Sequence, residues 1–120
     1  MGSEMCIRDR YEKAAKQGYA MAQYNLGFMY YKGEGVKQDI SKARDWAEKA
    51  AKQGYAAAQH CLGTLYEFGN GVEQSDSLAV RWYGRAAAQG HETAKQRFDA
   101  IFQKRREQKQ REREREPLHG

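Results

Sequence analysis

Proline is all but missing from this 120-residue chain; the only one is Pro117, near the end. No earlier position is therefore barred from a helix by a missing N–H. Cysteine is scarce as well. Cys6 and Cys61 are too few for the disulfide framework of a small secreted scaffold. There is no run of 18 or more apolar residues, which excludes a membrane-spanning helix of ordinary length. No secretory signal is visible, and no compartment is assigned. The three histidines, His60, His91 and His119, lack the spacing of metal ligands. The net charge is +5, but residues 104–116 hold seven Lys/Arg and four Glu, so most of the excess sits in the tail and the body is close to balanced.

What the chain does have is a repeat. Tyr11–Gly18, Ala47–Gly54 and Tyr83–Gly90 read almost alike, and their closing glycines stand 36 residues apart. The same offset aligns Ala22, Ala58 and Ala94, then Leu26, Leu62 and Phe98, then Tyr30, Tyr66 and Phe102. It also pairs Gly27 with Gly63, Gly33 with Gly69, Ala43 with Ala79 and Trp46 with Trp82. A fixed period of this length is the mark of stacked helical repeats.

Each unit reads as two helices. Helix A spans about 20–32, with Ala22, Leu26, Met29 and Tyr30 on one face at helical spacing. Gly33 takes the left-handed position that ends it. Helix B spans about 40–53, with Asp39 as its N-cap and Ser75 in that role in the next unit. Its face is Ala43, Trp46, Ala47, Ala50 and Ala51, and Gly54 closes it. Small residues allow close approach of helices, and each aromatic fills the space left over. One unit cannot bury its apolar face alone, so neighbours stack into a continuous core. The expected fold is all-α, a right-handed α/α superhelical solenoid.

The string Ala22-Gln-Tyr-Asn-Leu-Gly27, with Tyr30, Gly33-Glu-Gly-Val36, Asp39, Lys42-Ala43, Trp46, Lys49-Ala-Ala51 and Gly54, resembles the Sel1-like repeat, a relative of the tetratricopeptide repeat. The resemblance covers about 11–102. It departs at Ser75 for Asp, at Cys61 for Asn, and at Asp99 where Gly27 and Gly63 stand. It implies a non-catalytic adaptor or scaffold that binds a protein or peptide in a concave groove lined by the A helices, without a cofactor. The groove residues this assigns are Tyr24, Phe28 and Tyr31 in the first unit and His60, Thr64 and Glu67 in the second. The competing reading makes these rings inter-repeat packing, and Tyr24 belongs to the repeat's own motif.

The boundaries follow the period. Residues 11–18 are the second half of a truncated helix B, 19–54 and 55–90 are repeats, 91–103 is a capping helix, and 104–120 is a charged Arg/Glu-rich tail. Residues 1–10 read as a non-native leader, because Met5-Cys-Ile-Arg-Asp-Arg10 resembles a translated sequencing-library adapter and Arg10 falls where Trp46 and Trp82 stand. The arginines of the tail suggest an alternative function, contact with nucleic acid or an acidic surface. Interleaved glutamates weaken it by neutralising the field. Some members of the family have been described as hydrolases of β-lactams, but no catalytic set is visible here. His60 and Cys61 are adjacent in a helix and point about 100° apart, which is wrong for a nucleophile and its base. Gly33-Glu34-Gly35 follows a helix and lacks the Lys and Ser/Thr of a phosphate loop.

Overall fold

The computed structural model describes residues 7–115. Of the residues read as a leader, 1–6 lie outside the described range, as do Cys6 and residues 116–120. Six helices follow in chain order: α1 (Ile7–Lys16), α2 (Ala20–Lys32), α3 (Ile40–Lys52), α4 (Ala56–Phe68), α5 (Asp76–Ala88) and α6 (Glu92–Arg115). Among the described residues there is no strand. Each helix packs on the next, and α4 also touches α6. This is an all-α helical repeat solenoid, with α2, α4 and α6 in the A position and α1, α3 and α5 in the B position.

The boundaries have local causes. Asp39 accepts a hydrogen bond from the backbone N–H of Lys42 at 3.1 Å, and Ser75 accepts one from Leu78 at 3.2 Å. Each satisfies a donor that a helix start leaves open. Helices α2 and α4 end at Gly33 and Gly69, whose φ of 75° and 65° an L side chain rarely adopts. The N-termini of α2 and α4 have no such side-chain cap. They are tied down by a buried glutamine relay instead. Gln23 Nε2 donates to the carbonyl of Ala15 at 3.1 Å, and Gln59 Nε2 donates to that of Ala51 at the same distance. Gln53 in turn donates to Gln23, and Gln89 to Gln59. The relay closes buried backbone carbonyls at the ends of α1 and α3.

The core follows the stack as three clusters, around Leu26, Leu62 and Tyr83. Leu26, Leu62, Ala50, Ala58, Ala79, Tyr83 and Ala94 are fully buried. Where α2 crosses α3, a side chain on Gly27 would stand 3.1 Å from the Ala43 carbonyl, so glycine is what lets the helices touch. The last helix runs past the boundary drawn at residue 103. Its apolar face stops with Ile101 and Phe102, yet α6 continues as one 24-residue helix to Arg115, carried by pairs such as Arg111–Glu107 at i, i+4.

Candidate functional site

Between α2 and α4 the stack is not filled. A cleft of about 280 Å³ opens there, with Gly27, Ala43 and Ala47 at its floor. Tyr24, Phe28 and Tyr31 of α2 form one wall, and His60, Cys61, Thr64, Leu65 and Phe68 of α4 the other. Phe28 and Phe68 are 40% and 68% exposed, a large apolar surface to leave in water at the mouth of a cleft. Lys32 lies over the Phe28 ring at 5.5 Å.

Five of the six residues expected in the groove, Tyr24, Phe28, Tyr31, His60 and Thr64, line this one cleft. Glu67 does not. It is drawn toward α5 and α6, accepting hydrogen bonds from the Arg97 guanidinium of α6 and, at 2.8 Å, from the Tyr83 hydroxyl of α5. Burial alone would raise the Glu67 pKa. The hydrogen bonds from Arg97 and Tyr83, with the charges of Arg97 and Lys104, outweigh it and hold the carboxyl below the usual range. Glu67 is thus a stitch between α4 and α6, and Arg97 supplies the reason the spacing argument lacked. Burial, helped by the hydrogen bond it donates to Glu67, pushes the Tyr83 pKa up to about 12.

Cys61, Leu65, Phe68 and Asn70 also line the cleft and were not singled out as groove residues. Phe68 is the last residue of α4 and carries the signal that was available, a large apolar side chain just before the Gly69 cap. Cys61 pairs with Tyr24 rather than with a base, and burial raises its pKa, so it is held as a thiol. The His60 ring faces Tyr83 and stacks on His91, at centroid distances of 5.7 and 4.7 Å. Burial and the nearby His91 lower the His60 pKa against the opposing charge of Glu67. His91 is engaged too, its Nδ1 accepting from the backbone N–H of Ala94 at the start of α6. Among the described residues no three His, Cys, Asp or Glu side chains gather as a metal site needs. Nor is any described helix long and apolar enough to cross a membrane.

The next interval, between α4 and α6, shows why the first is open. Position 47 is Ala and its counterpart 83 is Tyr. The Tyr83 ring lies over Gly63, where an added Cβ would meet it at 2.7 Å, and its hydroxyl reaches Thr64 at 3.0 Å as well as Glu67. One ring therefore occupies the space that Ala47 leaves free.

The architecture defines a helical repeat scaffold with an apolar cleft between the A helices α2 and α4. Comparison with known proteins identifies the repeat: the Sel1 repeat model matches residues 11–19, 20–55 and 56–91, and the chain belongs to the Sel1 repeat family. It is 61% identical over 33 residues to a sel1-like repeat-containing protein of Acanthamoeba polyphaga mimivirus, a match over 28% of this chain and 6% of that one. Among solved structures it resembles a protective antigen of uropathogenic Escherichia coli strains with an SLR fold. There the TM-score is 0.79 and the identity 35%, over 83% of this chain and 21% of that one. It also resembles a Sel1 repeat protein from Oxalobacter formigenes, with TM-score 0.73 and 44% identity, over 75% of this chain and 68% of that one. The chain thus spans a small part of the viral relative and of the Escherichia coli antigen.

Proposed function

We propose that this chain is a non-catalytic docking module that holds an apolar segment of a protein partner in the cleft between α2 and α4. The observation that carries the reading is the open apolar cleft itself, walled by Tyr24, Phe28, Tyr31 and Phe68. Exposed aromatics around a preformed apolar gap are the usual anchors of peptide recognition. Membership of a family of interaction scaffolds supports the same role. The test uses peptides selected against the purified chain from a random display library. Phe28→Ala and Tyr31→Ala should each weaken their binding about tenfold, with the circular dichroism spectrum unchanged. Peptides that bind both variants as tightly as the parent chain would move the site elsewhere.

One observation favours a second surface, for an anionic partner. The α-helix sorts the charges that alternate in the sequence. At 100° per residue, Arg105, Arg106, Lys109 and Arg113 fall with Phe102 inside an arc of about 100°. Glu107 and Glu114 turn away, where Gln103, Gln110 and Arg111 engage them, and Glu112 borders the arc. Binding of a polyanion such as heparin should then fall steeply with added salt and vanish when residues 104–120 are deleted. Salt-independent binding, or binding that survives the deletion, would dismiss this surface.

A further inference from the structure

The cleft between α2 and α4 has a template for its guest inside the same molecule. Tyr83 touches four positions of α4: the ring faces His60 and lies over Gly63, and the hydroxyl meets Thr64 and Glu67. Moved back by the repeat offset, those four positions are Tyr24, Gly27, Phe28 and Tyr31, and all four line the open cleft. Ala47, at the floor, is the counterpart of Tyr83. The open cleft is therefore the same seat without its ring. Its polar partners are changed as well, because Glu67, which accepts the Tyr83 proton, and Thr64, whose hydroxyl meets the same oxygen, are replaced by Tyr31 and Phe28. A phenol would lose the carboxylate that accepts its proton and find at that position only the neutral Tyr31 hydroxyl, a weaker acceptor. A plain phenyl ring would keep the contacts and bring no hydroxyl.

We infer that the cleft receives the side chain of a phenylalanine from a partner peptide, seated over Gly27 as Tyr83 is seated over Gly63. This rests on the docking role proposed above and specifies its guest. Edge and face contacts with Tyr24 and Phe28 would favour a ring over an aliphatic chain of similar size.

The test is an NMR titration of the whole chain with N-acetyl-phenylalanine amide and, separately, with N-acetyl-leucine amide. The phenylalanine probe should give saturable ring-current shifts at the Ala43 and Ala47 methyls, and the leucine probe should bind roughly three- to tenfold more weakly. Ala47→Phe, which supplies the ring from within, should abolish both. Tyr83→Ala gives an independent arm, by emptying the second seat. Its melting temperature should rise with added p-cresol, which restores the ring and hydroxyl, while that of the parent chain should not. Leucine binding as tight as phenylalanine at the same methyls would overturn the ring assignment and leave the docking role standing. Absence of p-cresol rescue would overturn the equivalence of the seats. Display-selected peptides that bind Phe28→Ala and Ala47→Phe undiminished would overturn the docking role itself.

Discussion

Glu67 and Gly63 show how single residues decide what this scaffold leaves open. The Glu67 carboxylate holds Arg97 and Tyr83 against α4. Its pKa is below the ordinary value, so the folded chain binds this proton more weakly than the unfolded chain. The stabilisation is present above the ordinary glutamate range and fades as the pH falls through it. Urea midpoints measured at about pH 6 and about pH 3.5 should therefore drop less in Glu67→Gln than in the parent chain. An equal drop would mean that the network contributes nothing through this proton. Gly63→Ala should cost about 1–3 kcal/mol, because the added methyl strikes a ring anchored at its far end and overpacks the core. A chemical denaturation curve unchanged by that substitution would contradict the packing described here.

At the level of elements, the helices were legible where a boundary is written in local chemistry that recurs with the period. Asp39 and Ser75 begin helices, Gly33 and Gly69 end them, and Leu26 and Leu62 mark their buried face. The cleft was legible only in part. Spacing placed Tyr24, Phe28 and Tyr31 on one stripe of α2, but whether that stripe borders a gap depends on which way a ring on the neighbouring B helix points. The Ala47 and Tyr83 pair was visible as an alignment, and its consequence needed the packing. Glu67 lies outside the cleft for a reason spacing does not show: its partner Arg97 is 30 residues away, on α6. The continuation of α6 depends on many weak i, i+4 pairs, none of them decisive alone. Those pairs are exposed and touch no core residue. Removing residues 104–120 should leave the unfolding free energy within about 0.5 kcal/mol of the full chain. A larger loss, read from denaturant melts, would show that the extension braces the stack.

As a whole the molecule is a rod-like stack with extents of 82 × 27 × 18 Å, in which each helix meets chiefly its neighbours in sequence. Stability in such a stack is built from nearest-neighbour interfaces. An interface that gives up filling, as the one between α2 and α4 does, is a local cost that the fold retains. That cost is the feature on which the proposed docking turns. The most direct measurement is the affinity of display-selected peptides for Ala47→Phe, with the parent chain as reference and folding checked by circular dichroism. The account predicts a folded variant whose peptide binding falls at least tenfold, because the ring fills the seat from within as Tyr83 does one repeat later. A folded Ala47→Phe that binds the same peptides as tightly as the parent would contradict it.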